Sequence, residues 1–316
     1  MTAAGAAARL TPLRAAWNAP ILLLSLTALM WAGNSVAGRL AVGEISPMEL
    51  IFLRWTFACI PLAIAARADL KKDMAALRPR WRYLVVAGSL GFTGFNALFY
   101  LAAHRTTAVN ISILQGLIPP LVIIGAAFVF GTRPRPLQVL GIIGTMIGVA
   151  WVGLRGDMAN LRSLDFNSGD LMVIVASAFY AVYTLMLRQR PQVSSLGLFA
   201  AMAFVALLTS APLLAIEIAY GAFMWPSAKG WATLAYVALF PSLIAQIFFI
   251  RGVQLIGPSR AGVFANLVPI FGALLAVTIL GEPFAVYHAV ALALVVGGIW
   301  MAEHTARGAA RSPPAA

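Results

Sequence analysis

The chain has 316 residues, 61% of them hydrophobic and 10% charged, with a mean hydropathy of +0.90. A soluble core of this length needs far less apolar surface, so composition excludes a water-soluble enzyme or binding module and requires an integral membrane protein. The net charge of +12 does not indicate a nucleic-acid partner, because the basic residues are scattered between apolar blocks instead of forming one stripe.

Apolar blocks able to cross about 30 Å of hydrocarbon as helices recur along the chain, and the alternating pattern of barrel strands is absent. The fold class expected is an all-α integral membrane protein with ten spans, at 20–41, 47–66, 82–102, 107–130, 136–154, 169–187, 194–219, 230–250, 258–280 and 284–302. These form a single membrane domain over 1–316, with short tails at 1–16 and 304–316. Sixteen of the 22 Lys and Arg residues fall on the side that holds the N-terminus and five on the other, which predicts that both termini are cytoplasmic. The first apolar segment is span-length and lacks a small-residue cleavage site, so it is expected to remain as a helix.

The Ala-rich tail carries Arg9 and Arg14 and is too polar to bury a core. In the first span Trp31, Asn34, Ser35 and Gly38 share one face, an arrangement with no use toward lipid. The second span contains Glu49, Arg54 and Cys59. Arg54 lies about 10 Å along the helix from Pro47, which suggests a guanidinium snorkelling to the outer interface or bonded to a neighbouring helix end, with a substrate carboxylate as the alternative. Cys59 reads as packing. Arg67 to Arg82 is the most basic segment and is expected to be an inner loop against anionic headgroups. The third span presents Phe92, Phe95, Asn96 and Phe99 as a stripe beside Gly88, Gly91 and Gly94. The fourth has Gln115, Gly116, Pro119 and Pro120, and Pro119 predicts a kink whose freed carbonyl could face cargo. The fifth carries Gly141, Gly144 and Gly148, a face for close packing against the bundle or a second copy.

A connection with Asp157 and Asp165 then leads into a second copy of the same plan. Shifting the chain by 150 residues lays Trp81 to Trp151 on Trp231 to Met301 without a gap. Leu117, Pro119, Ala126, Gly131 and Gly148 fall on Leu267, Pro269, Ala276, Gly281 and Gly298, and Asn96 falls on Gln246. With a shift of 149, Trp31, Asn34, Ser35 and Arg39 fall on Tyr180, Tyr183, Thr184 and Arg188. Repeat one is therefore about 20–154 and repeat two about 169–302. Five spans per repeat is odd, so the copies are inverted, the architecture on which many carriers build alternating access. Pro241 opens the eighth span at the level of the third-span glycines, Asn266 and Pro269 repeat the polar kink, and Gly297 and Gly298 repeat the glycine face.

Ten helices in two halves, each with a proline in its fourth helix followed twelve residues later by glycine, resemble the drug/metabolite transporter superfamily and its EamA family. A glycine followed by Glu at the end of the fourth helix is intact as Gly281 and Glu282, whereas the first half has Gly131 and Thr132. Glu282 also precedes Pro283, where an acid would favour the start of the tenth helix. Within the family the chain is similar to the YddG-type exporters of aromatic amino acids. The resemblance implies export of small metabolites across the bacterial inner membrane through a central cavity lined by the first, third, fourth, sixth, eighth and ninth helices.

The residues expected to line that cavity are Trp31, Asn34, Phe95, Asn96, Phe99, Gln115, Tyr180, Tyr183, Gln246 and Asn266, with kinks at Pro119 and Pro269. For Asn96 and Gln246 the alternative is an amide bonding a neighbouring helix. No charged residue is expected near the midplane, with Glu49, Arg54 and Glu217 placed toward helix ends. That disfavours phosphorylated cargo and proton-coupled cationic drugs, leaving neutral or zwitterionic molecules such as amino acids. His288, the one intraspan histidine, is expected to make a helix-end hydrogen bond, with proton coupling as the alternative. No catalytic motif, metal-ligand cluster or cofactor fingerprint is present, so an enzyme is not expected, and the bulky rings argue against an open pore. The partners expected are a small-molecule substrate and the lipid bilayer, with the oligomeric state left open.

Overall fold

The computed structural model of the protein describes residues 12–158 and 167–309. Arg9, Arg162, Asp165 and the tail from 310 lie outside the described residues. A short helix, Pro12–Trp17, precedes ten long ones. These are α1 (Pro20–Ala41), α2 (Pro47–Ala65), α3 (81–103), α4 (Ala108–Phe130), α5 (Pro136–Gly153), α6 (Ser168–Met186), α7 (Ser195–Ala219), α8 (Ala228–Ile256), α9 (258–280) and α10 (Val286–Ala309). Nine helical runs among the described residues are long and apolar enough to cross a membrane, and a tenth is apolar over Val286–Ala302. The protein is a multi-pass membrane protein.

The helices pair across the two halves rather than within them. α1 packs on α8 and α9, and α6, its repeat partner, packs on α3 and α4. α2 packs on α7, and α5 on α10. Exchanging the halves leaves this set of pairs unchanged, as an inverted repeat requires. Gly141 and Gly298 are in direct contact at the α5–α10 seam, so the two glycine faces serve each other within one chain.

Local irregularities repeat as well. α3 contains a π turn at Ser89–Gly94 and α8 one at Phe240–Ile244. α4 tightens into a 3-10 turn at Gln115–Leu117 and α9 at Val263–Asn266. The tight turns end two residues before Pro119 and three before Pro269, the prolines expected to kink these helices. The carbonyls those prolines free are not open to cargo: Gln115 O takes the Ile118 N–H and Ala265 O takes the Leu267 N–H. The 3-10 winding supplies a nearer donor where proline has none. α4 and α9 both end on left-handed glycines, Gly131 and Gly281, with φ of 65° and 66°.

The basic segment after α2 is helical, not a loop: Arg67–Leu77 forms an α-helix and Arg78–Arg80 a 3-10 turn. Its Asp73 is buried and accepts the Ser194 N–H at 2.9 Å, fastening the segment to the start of α7. Asp73 and Ser194 therefore mark one end of the bundle, called here the Arg67 end. The other, the Glu282 end, holds the α1–α2, α3–α4, α7–α8 and α9–α10 turns.

Candidate functional site

Pro241 has no N–H to give the carbonyl four residues back, and the π turn leaves Val237 O in need of a donor. The Ser242 hydroxyl fills that role at 2.6 Å. Ser242 Oγ then accepts from Arg54 Nε at 2.5 Å. The same guanidinium donates through Nη1 to Asn96 Oδ1 and to the Tyr100 hydroxyl oxygen, each at 2.7 Å. Tyr100 donates onward to Asn34 Oδ1 at 2.8 Å, and Asn96 Nδ2 donates to Phe92 O. One knot thus joins α1, α2, α3 and α8. Arg54 is 6% exposed and lies over the Trp55 ring at 5.3 Å. The sequence-based placement of Arg54 toward a helix end is corrected here: its partner Ser242 is midway along α8, so a cation does sit in the interior.

One turn from the knot toward the Arg67 end the side chains change from polar to aromatic. Trp31 meets Phe249 at 5.3 Å between ring centroids. On the other side Phe95 meets Tyr180 at 5.1 Å and Phe99 at 5.6 Å, while Tyr180 meets Tyr183 at 5.3 Å. Trp31 and Tyr180 are repeat partners, and each pair takes one ring from each half. Trp31, Phe95, Tyr180 and Gln246 are half-buried, and none of the Gln246 amide, Tyr180 hydroxyl or Trp31 indole N–H bonds a described residue.

The other expected lining residues are more committed. Asn34 and Asn96 are buried in the knot, and Phe99 is fully packed. Tyr183 lies buried against the π-turn backbone at Gly91, which a side chain at 91 would block. Gln115 donates to Ser35 Oγ and to Ile111 O, both at 3.3 Å. Asn266 is half-buried at the end of the α9 3-10 turn. Sequence reading gave neither Tyr100 nor Ser242 a place in the site, although Ser242 shares a helix face with Gln246 and Phe249. The available signals were Tyr100 one turn after Asn96 and a serine directly after a mid-span proline.

At the Glu282 end His288 is buried, with Nδ1 accepting the Ala285 N–H at 3.0 Å and Nε2 3.2 Å from Asn110 Oδ1. The Nδ1 contact places the proton on Nε2, so the imidazole donates to Asn110. Asn110 Nδ2 lies 3.3 Å from both oxygens of Asp170, which also accepts from Thr106 at 2.5 Å. This chain ties α10, α4 and α6. Glu282 does not cap α10: its two oxygens accept the Ala108 and Val109 N–H groups at 2.9 and 3.0 Å, capping α4, with Arg39 Nε 3.6 Å away. Glu217 caps α2 likewise through Met48 and Glu49 at 3.1 and 3.2 Å. Beside the Glu282 cap is a polar basin of about 320 Å³ whose lining includes Arg39, Arg105, Arg155 and His104. Burial, and then the charge of Arg39, hold the His104 pKa below its ordinary value, so the basin's cations are its arginines.

The chain is similar to known transporters over nearly its whole length. It is 27% identical to an uncharacterized transporter, YyaM, of Bacillus subtilis strain 168, covering 94% of this chain and 95% of that protein. It is 25% identical to the aromatic amino acid exporter YddG of Ancylobacter novellus, covering 90% and 97%. A solved crystal structure superposes with a TM-score of 0.64 at 22% identity, covering 93% of this chain and 99% of that one, which establishes likeness of fold. The profile of the EamA-like transporter family matches twice, at residues 18–154 and 167–302. With both halves matched and the helices paired as an inverted repeat, the chain belongs to the EamA-like transporter family and is a transporter, not an enzyme.

Proposed function

We propose that the protein exports small zwitterionic metabolites, amino acids including aromatic ones, by alternating access across the bacterial inner membrane, working as a single membrane domain with both termini cytoplasmic. The observation that carries this reading is the pair of half-buried ring contacts, Trp31 with Phe249 and Tyr180 with Phe95, each joining one ring from each half, together with an unengaged Gln246 amide one turn before Phe249. Rings suit apolar and aromatic side chains, and unspent amide, hydroxyl and indole groups suit the polar end of a small molecule. The name of the Ancylobacter relative supports the aromatic preference. The distribution of sixteen basic residues against five supports the orientation.

The competing reading is an exporter of other drugs or metabolites through the same chamber. Both are separated by liposomes that contain only this protein, assayed for exchange of a labelled amino-acid panel. Saturable exchange of aromatic amino acids is expected. Exchange of none of the panel would leave the broader reading in its place.

A further inference from the structure

Arg54 is more than the tie it makes. Its three hydrogen bonds go to uncharged oxygens, of Ser242, Asn96 and Tyr100, and use only Nε and Nη1. Nη2 has no partner among the described residues, and no carboxylate among them lies within 4.0 Å of the guanidinium. A neutral amide could hold similar oxygens together. A guanidinium adds a full positive charge, buried at 6% exposure, with two N–H donors left over. Burying a cation without a counter-charge is costly, and that cost falls when an anion arrives.

We propose that Arg54 is the receptor for a carboxylate of the transported molecule. The inference rests on the carrier reading above and adds to it the anionic group and the residue that takes it. The Nε N–H and one Nη2 N–H lie side by side on the planar fork and suit the two oxygens of a carboxylate, and the ring clusters one turn away would hold the cargo's apolar part. The arginine-lined basin lies at the Glu282 end, the end toward which the knot is set from the rings, and its charge would draw an anion to that end. In this arrangement the carboxylate takes a free Nη2 N–H and competes with Ser242 for the Nε N–H. Because Ser242 belongs to the second half and Arg54 to the first, cargo binding acts on a link between the halves.

The test uses full-length protein in liposomes exchanging labelled L-phenylalanine against three unlabelled competitors: L-phenylalanine, phenylpyruvate, which keeps the carboxylate without the ammonium, and phenethylamine, which keeps the amine without the carboxylate. The two carboxylates are expected to compete about 10- to 100-fold better than phenethylamine, the range for a hydrogen-bonded charge. In Arg54→Gln that preference is expected to vanish, and Arg54→Lys should retain part of it as a point charge. Equal competition by phenethylamine in the unsubstituted protein overturns the proposal, as does full preference in a folded Arg54→Gln. Where Arg54→Gln fails to fold, the unsubstituted protein and Arg54→Lys decide on the same criterion. Exchange of labelled phenethylamine but not of phenylalanine would overturn the carboxylate receptor while leaving a carrier. Exchange of neither would overturn the amino-acid reading and this proposal with it.

Discussion

Glu282 Oε1 accepts the Ala108 N–H at 2.9 Å and lies 3.6 Å from Arg39 Nε, so one carboxylate from the second half caps a helix and pairs with a cation of the first. The cap outweighs the pair, because the Arg39 side chain is one-third exposed and screened by solvent. Removing the carboxylate in Glu282→Ala is expected to cost about 2 kcal/mol, from two unpaired N–H groups at a helix start. Glu282→Gln keeps one acceptor and should cost about half as much. Denaturation of the two variants in detergent checks the order, and equal stability of both with the unsubstituted protein would refute the cap.

Glycine pairs at repeat-related places make a second expectation. A Cβ at Gly131 or Gly281 would meet nothing within 4 Å, so alanine there costs only the left-handed backbone, about 1 kcal/mol at each position. A Cβ at Gly141 would come 2.8 Å from the Ala302 backbone nitrogen and would overlap the Gly298 carbonyl. Gly141→Ala is therefore expected to cost about 2–3 kcal/mol by parting α5 from α10. Thermal melts of the three variants test this, with a Gly141→Ala loss no greater than Gly131→Ala counting against the seam.

These positions also show what a sequence of this kind reveals. Gly131 and Gly281, Pro119 and Pro269, and the apolar boundaries were legible because breakers and hydrophobic edges act locally and keep their spacing in both copies. The π turns at Ser89–Gly94 and Phe240–Ile244 were not, since a glycine or proline in a span marks a break but not the winding that the helix adopts around it. Arg54 was placed too near a helix end because a residue count along one helix says nothing of the depth at which its neighbours lie. For Asn96 the choice between cavity lining and a bond to a neighbouring helix stayed open in the sequence, because its partner comes from another helix, 42 residues away.

Glu44, in the α1–α2 connection, offers a pH test. The Ser227 hydroxyl holds its carboxyl below the ordinary value against the opposing effect of burial, with a smaller contribution from the charge of Lys229, 3.5 Å away. A depressed carboxylate contributes stability above its unfolded pKa, and that contribution is lost as pH falls through the folded value. The Tm difference between the unsubstituted protein and Glu44→Gln should therefore be present at pH 7 and shrink below about pH 4. A difference that stays constant across that range would contradict the charge-based origin.

The sharpest contrast lies between Asn96 and Gln246, which occupy equivalent repeat positions and do different things. Asn96 is 3% exposed, accepts from Arg54 at 2.7 Å and donates to Phe92 O, so it holds a buried cation and a π-turn carbonyl. Gln246 is half-buried and bonds no described residue. Asn96→Leu removes an acceptor from a buried guanidinium and is expected to cost about 2–3 kcal/mol, lowering Tm and exchange together. Gln246→Leu removes no internal bond and should change stability by no more than about 0.5 kcal/mol. Because its amide remains available to cargo, the same substitution is expected to lower amino-acid exchange about 10-fold. Parallel melts and counterflow assays on the purified variants separate the two roles. Wild-type exchange by Gln246→Leu would remove that amide from the cargo site, and wild-type stability of Asn96→Leu would mean that the knot around Arg54 does not hold the helices together.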